Sequence, residues 1–391
     1  MFTVRTFNQI APKGLSIFDD GYRVGEDEED PDAVLLRSHK LHDMEFNPRL
    51  KAIARAGAGV NNIPVEECTK RGIVVFNTPG SNANSVKELV VSALLLSSRR
   101  IHQGLSWVEQ LDPTADEIES VVEKKKKEFA GPEIYDKTLG VIGLGAIGVL
   151  VSNAATALGM NVVGYDPYIS VESAWGLARS VHRARSLEEL LSQSDYITIH
   201  VPLNDSTKGL INRESLKHAK AGVRLLNFAR GGLVENQAVI EALNDGTISY
   251  YLTDFPEAEI VGHERVLAVP HLGASTPEAE ENSAVMAAEQ LRNYLEYGNI
   301  KNSVNFPECE LPVRGYDRLL IANRNIPNMV GQVTKILAEG NINILHLVNH
   351  HKEDVAYNII DVDGDLSDAA IDAIGNIEGI IMVRRLSLEA H

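Results

Sequence analysis

Three short segments in the second half of the chain carry side chains suited to moving a proton beside a bound anion. Asn227-Phe228-Ala229-Arg230-Gly231-Gly232 places an arginine just after an apolar, strand-like run. Pro270-His271-Leu272-Gly273-Ala274-Ser275-Thr276 places a histidine just after another. Between them, Asp254-Phe255-Pro256-Glu257-Ala258-Glu259 offers carboxylates. A histidine titrates near neutrality and can take a hydroxyl proton. A carboxylate on the far side of its ring holds the orientation and stabilises the imidazolium. A guanidinium binds a substrate carboxylate bidentately and polarises the adjacent oxygen. These are the groups needed to oxidise a secondary alcohol next to a carboxylate.

The elements that must position them start earlier. Val141-Ile142-Gly143-Leu144-Gly145-Ala146-Ile147-Gly148 is an apolar β-type run entering a G-x-G-x-x-G turn. A helix-like stretch follows, then the apolar run Asn161–Tyr165, and Asp166 lies eighteen residues after Gly148. That spacing predicts a βαβ unit holding a dinucleotide. Gly143 makes the tight turn, Gly145 lets the pyrophosphate approach the backbone, and Gly148 lets helix pack on strand. The helix N terminus offers free N–H groups to the phosphates. Asp166 would accept both adenosine-ribose hydroxyls and repel a 2′-phosphate, so NAD is expected rather than NADP. In open α/β sheets ligands sit at the carboxyl ends of strands, which puts Arg230 and His271 at the nicotinamide end of the crevice.

The bulk numbers narrow the class. A chain of 391 residues is long for one domain, so two or three are expected. The formal charge of −17 argues against non-specific nucleic-acid binding, and an anionic substrate needs a local basic pocket against that field. Two cysteines, Cys68 and Cys309, far apart and outside any C-x-x-C, argue against a zinc site or a disulfide framework and fit a reducing cytosol. Met1-Phe2-Thr3-Val4-Arg5 has no signal-peptide pattern and no apolar run approaches membrane-spanning length, so a soluble cytoplasmic protein is expected, without metal, nucleic acid or membrane.

Strand-like segments at Thr3–Phe7, Ala33–Arg37, Ala52–Ala56 and Val74–Asn77 alternate with helices, and Glu26–Asp30 reads as a solvated loop. A helix starting near Ser85 and running through Leu96 is apolar nearly all round, which suits a buried inter-domain or inter-subunit position. Further strands are expected at Thr138–Ile142, Asn161–Tyr165, Asp195–His200, Arg224–Asn227, Tyr250–Thr253 and Val266–Ala268. Thr276 can cap the next helix, with Pro277 at its first position and Glu278, Glu280 and Glu281 at its positive end. Ala284, Ala287, Ala288, Leu291 and Leu295 form its apolar stripe. Val304–Arg314 reads as a linker, and beyond it a small βαββαβ unit is expected, with Gly340 as a helix stop and Ser367 as a cap. Lys124-Lys125-Lys126-Lys127 reads as a solvated helix face, with steering of an anionic substrate as the alternative. His346, His350 and His351 have no ligand spacing, and the last two read as a strand-end pair in solvent.

The order of GLGAIG, YDP, NFARGG and PHLGAST resembles the D-isomer-specific 2-hydroxyacid dehydrogenases over essentially the whole chain. The resemblance implies an α/β fold: a Rossmann-type doubly wound parallel sheet, residues 93–281, inserted in a flavodoxin-like substrate domain made of 1–92 and 282–306. Residues 307–314 would be a linker and 315–391 a βαββαβ unit. Arg55-Ala56-Gly57-Ala58-Gly59 resembles the family's substrate loop, whose N–H groups receive the carboxylate, with Arg55 meeting a phosphate. Asn77-Thr78-Pro79-Gly80-Ser81-Asn82 resembles a second loop, with Asn82 near the substrate and Thr78 near NAD. Ala146 and Ile147 would touch the pyrophosphate, and His200, Val201, Pro202 and Thr207 would lie on the adenine side. Phe228, Ala229, Arg230, Asp254, His271, Gly273 and Ala274 would flank the nicotinamide. His271 is then the base, Arg230 the carboxylate clamp, and Glu259 the partner of His271, with Glu257 as the alternative because this segment is one residue shorter than usual. Asn61-Asn62 replaces the usual Asp-Asn, and Val201 stands where a hydroxyl residue is common, so a contact there must come from the backbone.

The C-terminal unit resembles an ACT domain, a small amino-acid-sensing module. Asn323 through Asn328 align with its first loop, Asn325 matching, and Asn343 matches the start of its second strand, so L-serine is the implied effector across a dimer of such units. Asn323 stands where histidine is common and Asn328 where glycine is usual, and a purely oligomerising unit is the alternative. The resemblance in motif order, together with this tail, implies NAD-dependent oxidation of D-3-phosphoglycerate to 3-phosphohydroxypyruvate, the first step of L-serine biosynthesis, in a homodimer or homotetramer, with Arg55 as the residue that would meet the phosphate. Oxidation of another D-2-hydroxy acid, of the glyoxylate, lactate or 2-hydroxyglutarate type, and a non-catalytic NAD-sensing role are the alternatives.

Overall fold

The structure is a computed structural model that describes all residues except 113–117, 365 and 388–391. The chain divides into two compact units, Asn82–Ala279 and a second made of Met1–Ser81 with Glu280–His391.

The unit formed by the chain's two ends holds two sheets. Strands β1 (Phe2–Phe7), β2 (Tyr22–Gly25), β3 (Ala33–Leu36), β4 (Ala52–Arg55) and β5 (Val74–Phe76) form a parallel sheet of order β2-β1-β3-β4-β5. This is the flavodoxin-like order. Ala33–Leu36 is buried on both faces, as a central parallel strand must be. The edge strand β2, absent from the sequence expectation, carries Tyr22-Arg23-Val24-Gly25, too short and mixed to show a period. Asp32, at the start of β3, is buried and takes Lys51, Arg49 and the Thr3 N–H.

In the unit Asn82–Ala279, strands β6 (Thr138–Ile142), β7 (Asn161–Tyr165), β8 (His182–Arg183), β9 (Tyr196–Ile199), β10 (Val223–Asn227), β11 (Ile248–Thr253) and β12 (Val266–Ala268) form a seven-stranded parallel sheet. Its order, β12-β11-β10-β9-β6-β7-β8, reverses beside β6, the switch point of a Rossmann sheet. Two exposed residues make β8, too few for any pattern to announce them. The helix Ala83–Ser98 buries Val86, Val90, Ala93 and Leu94, but Leu95 is 42% exposed. One face of the helix is thus covered within this unit. The lysine run ends the helix Ile118–Lys125 and enters a 3₁₀ turn, where Lys125 pairs with Glu128 and Lys126 with Glu123.

The helix Pro277–Tyr297 starts as expected, with the Ala279 N–H donating to Thr276 Oγ1 at 3.1 Å. Its stripe, Ala284, Ala287, Ala288, Leu291 and Leu295, is fully buried. Strands β13 (Asp317–Arg324), β14 (Asn343–Lys352), β15 (Val355–Asp363) and β16 (Ile380–Ser387) form an antiparallel sheet of order β14-β15-β13-β16, with helices Met329–Glu339 and Asp368–Gly375. Alternation along β13 sends Leu319 and Ile321 toward these two helices. Leu320 and Ala322 join Tyr357 and Ile359 in one core with the helix Pro277–Tyr297 and the parallel sheet. Gly340 ends its helix with an ordinary φ of −78°, and the left-handed residue is Asn341, φ 55°. His350 and His351 are exposed just before the end of β14, as expected, and His350 Nδ1 lies 2.6 Å from the Glu308 carbonyl.

Candidate active site

The glycine turn closes as its spacing predicts. Gly143 has φ +90°, and its N–H donates to the Tyr165 carbonyl at 2.9 Å. A side chain there would press on the His200 carbonyl, which passes directly beneath. A Cβ on Gly148 would strike the Gly143 carbonyl, so this glycine sets the approach of the helix Ala146–Ala157 to the turn. Gly145 differs. A Cβ on it would meet nothing within 4 Å, so protein packing does not require glycine. The open space over its backbone, ahead of a helix N terminus, fits a pyrophosphate.

Asp166 ends its strand under that turn. Its Oδ2 accepts the Leu144 N–H at 2.8 Å and its Oδ1 the Tyr168 N–H at 2.8 Å. His200 has Nε2 3.0 Å from Thr198 Oγ1, while Nδ1 is buried without a partner among the described residues. Burial pushes its pKa down to about 3, which keeps the ring neutral beside the turn. Pro202 offers its carbonyl to Thr207 Oγ1 at 2.6 Å, so Thr207 shapes the loop after β9. Val201 lies against Gly143 through Cγ1.

The strand ends of β10, β11 and β12 carry the remaining chemistry. Asn227, buried at the end of β10, donates to the Arg230 carbonyl and accepts the Ala229 N–H, fixing the Phe228–Arg230 loop. Phe228 is buried, and Arg230 is exposed, with Nη1 on the Ala229 carbonyl. Asp254 follows β11 and is almost fully buried. Its Oδ2 accepts the Gly273 N–H at 3.3 Å, and its Oδ1 has no partner among the described residues. Burial raises its pKa, with His271, the Gly273 N–H and Arg230 pulling the other way. His271 has φ +31°, its N–H donates to the Asp254 carbonyl, and its ring stands edge-on to Phe255 at 4.8 Å. Ala274 continues the exposed turn after Gly273. Glu257 is held by the Asn236 amide at 2.8 Å and lies against Gly231. Glu259 is exposed, and neither glutamate hydrogen-bonds the His271 ring among the described residues.

In the other unit, Arg55 ends β4 with Nε on the Arg37 carbonyl at 2.9 Å and Nη1 on Asn61 at 3.4 Å. Ala56 donates to the Leu36 carbonyl, and Asn77 donates to the Ala58 carbonyl at 2.6 Å. Gly57, φ +155°, gives its N–H to Thr78 Oγ1 at 2.8 Å. A Cβ on Gly59 would run into the Arg55 guanidinium at 2.8 Å. Thr78 is fully buried, and Ser81 Oγ reaches both Thr78 and Ser283 Oγ. Asn82, the first residue of the unit Asn82–Ala279, opens the helix Ala83–Ser98, its carbonyl accepting the Val86 N–H. Asn77, Asn227 and Asn236, quoted or passed over in the sequence without a role, prove to be the amides that set these loops.

The effector candidates are not brought together within one chain. Asn325 lies just beyond β13, next to the β14–β15 turn, with its amide on the Glu353 carbonyl. Asn343 pairs with Asp363 at the other end of the sheet. Asn323 is buried, and its amide bonds the Arg324 carbonyl and Asn358.

Residues 91–273 match the family described as D-isomer specific 2-hydroxyacid dehydrogenase, NAD binding domain. The chain belongs to the D-isomer-specific 2-hydroxyacid dehydrogenase family. Among curated relatives, it is similar to D-3-phosphoglycerate dehydrogenase of Haemophilus influenzae, 35% identical over 94% of this chain and 89% of that one. It is 36% identical to that of Methanocaldococcus jannaschii over 82% of this chain and 60% of that one. With the Bacillus subtilis enzyme the identity is 37% over 71% and 52%. The chain thus spans about half to three fifths of the length of several curated relatives it matches. Among solved structures, the NAD⁺-bound 3-phosphoglycerate dehydrogenase of Entamoeba histolytica matches with TM-score 0.60 at 28% identity, over 78% of this chain and 98% of that one. A D-lactate dehydrogenase from Treponema pallidum shares the fold, TM-score 0.63 at 22% identity, over 78% and 99%. No helix among the described residues is long and apolar enough to cross a membrane.

Proposed function

We propose that the protein oxidises D-3-phosphoglycerate to 3-phosphohydroxypyruvate with NAD, the first step of L-serine biosynthesis. The observation that carries this reading is the similarity to the Haemophilus influenzae D-3-phosphoglycerate dehydrogenase over 94% of this chain and 89% of that one. NAD, when bound, supplies the hydride acceptor. The open space over Gly145, the Asp166 carboxylate, and the unpartnered Asp254 Oδ1 and His200 Nδ1 fit that cofactor. Arg230 holds the substrate carboxylate and polarises the neighbouring oxygen. His271 takes the hydroxyl proton, and Glu259, or Glu257 in its place, stabilises the imidazolium. The Ala56–Gly59 loop and Asn82 bind the substrate, and Arg55 meets its phosphate. Turnover with NAD is measured for 3-phosphoglycerate beside D-lactate, glycerate and 2-hydroxyglutarate. Selective oxidation of the phosphorylated acid is expected. Its absence, with turnover of another acid, overturns the substrate assignment, and no turnover of any acid points to an NAD-sensing role.

L-serine binding at Asn325 and Asn343 is part of this reading, with Asn323 as the buried support of the first loop. Because Asn325 and Asn343 lie at opposite ends of the sheet, the site requires two copies arranged so that one chain's Asn343 meets its partner's Asn325. A homodimer or homotetramer is therefore inferred. L-serine is expected to lower the rate or raise the melting temperature, and a flat titration to millimolar concentrations leaves the unit as a scaffold. A cytoplasmic location fits the buried, unbridged Cys68 and Cys309.

A further inference from the structure

We propose that the unit Asn82–Ala279 carries a second, small-anion site at the end of its sheet opposite the glycine turn, built from Arg100, Arg224 and Arg265 and suited to phosphate or a phosphate monoester. The three arginines line one cavity of about 580 Å³. Arg224 is the second residue of β10, Tyr250 lies near the start of β11, and Arg265 immediately precedes β12. Arg230, Asp254 and His271 follow the other ends of these same strands. Five- or six-residue strands separate the two ends by roughly 17–20 Å.

Several features mark the cavity as a place prepared for an anion rather than a chance meeting of basic side chains. Arg224 Nε donates to the Ser97 carbonyl at 2.9 Å, and its guanidinium lies 5.1 Å over the Tyr196 ring. One edge of the guanidinium is thereby fixed, and its terminal nitrogens have no hydrogen bond among the described residues. Arg100 Nη1 has only a long contact, 3.4 Å, with the Glu128 carbonyl. Arg265 Nε is buried without a hydrogen bond. The carboxylate beside it, Glu264, stands 3.6 Å away and is 83% exposed. Gln103 Nε2 donates to Tyr250 Oη at 3.2 Å while its Oε1 is buried without a partner, ready to accept from a ligand hydroxyl or bound water. Three guanidinium groups against one solvent-exposed carboxylate repel one another, in a chain whose formal charge is −17. A dianion removes that repulsion and supplies acceptors for the free guanidinium edges, to which phosphate geometry is matched.

The site is independent of the catalytic reading, and the experiment separates the two. Inorganic phosphate is titrated calorimetrically at constant ionic strength into the full chain bearing Arg55→Ala and Arg230→Ala, which silences the substrate-binding arginines. One phosphate per chain is expected to bind. Adding Arg265→Gln weakens that binding about tenfold or more, and adding Gln103→Glu abolishes it by placing a carboxylate in the cavity. NAD binding, followed in parallel, shows that each variant is folded. If Arg265→Gln does not fold, Gln103→Glu decides. No phosphate uptake in the starting variant, or uptake unchanged by the two additions, overturns the proposal.

Discussion

Asp166 Oδ2 accepts the Leu144 backbone N–H at 2.8 Å, so the acid that follows β7 and the residue between the first two turn glycines are fixed to one another. The carboxylate therefore arrives pre-oriented at the dinucleotide turn, with a second bond from the Tyr168 N–H holding its other oxygen. We propose that its negative charge, held there, disfavours a 2′-phosphate. Asp166→Ala is expected to weaken NAD binding about tenfold or more, through loss of the ribose acceptor and loosening of the turn. NADP binding should fall less, so the NAD-to-NADP preference narrows. Titration of both cofactors into the unsubstituted chain and the variant checks this, and an unchanged preference removes Asp166 as the discriminator.

The strength of that forecast reflects how local its determinants are. The left-handed Gly143, the packing of Gly148 on Gly143 and the acid at the end of the next strand are all set within one βαβ unit, so they can be read along the chain. Other features depend on distant partners. The two asparagines proposed for serine are separated by the strand order of the third sheet, which nothing in the linear sequence displays. The carboxylate assignment stays open because Phe255 packs edge-on to His271 and Asn236 draws Glu257 toward Gly231. Neither interaction has a sequence signature. Edge strands β2 and β8 were missed because two to four residues at a sheet edge carry no hydrophobic period.

The choice between the glutamates is settled by kinetics. His271→Ala is expected to lower kcat by about 10²–10⁴-fold while NAD still binds. With Glu259 as its partner, Glu259→Gln lowers kcat and moves the pH–rate profile, whereas Glu257→Gln leaves the profile in place. The reverse pattern assigns the role to Glu257. Equal, small effects from both would show that no glutamate supports His271.

Asp254 carries a stability cost that a conservative change should reveal. Burial raises its folded-state pKa from the ordinary aspartate value, although His271 and the Gly273 N–H oppose the shift. A group raised in this way contributes stability below its unfolded pKa and loses that contribution as pH rises through the folded value. Its Oδ1 is buried without a partner among the described residues. Asp254→Asn, which carries no ionisable group, is therefore expected to raise the Tm of the cofactor-free chain at pH 7. The gain should vanish as pH falls toward 4, and turnover should drop. A lower Tm at pH 7 would show that the carboxylate is instead stabilised.

Arg318 and Asp361 make the opposite case, a buried pair whose every group is satisfied. Both side chains are inaccessible. Arg318 donates from Nε and Nη2 to the two carboxylate oxygens at 2.6 and 3.0 Å. Its other N–H groups reach the carbonyls of Tyr297, Leu311 and Pro312. All five guanidinium donors are used, joining the third sheet to the end of the helix Pro277–Tyr297 and the segment that follows it. Arg318→Met leaves Asp361 buried and uncompensated together with three carbonyls, and is expected to cost about 3–5 kcal/mol. Arg318→Met with Asp361→Leu removes the buried charge but not the loss at the three carbonyls, so it should recover part of the stability and not all of it. Denaturant midpoints of the two variants measure that difference. Full recovery would mean that the carbonyl bonds contribute nothing, and no recovery would mean that Asp361 was never the penalty.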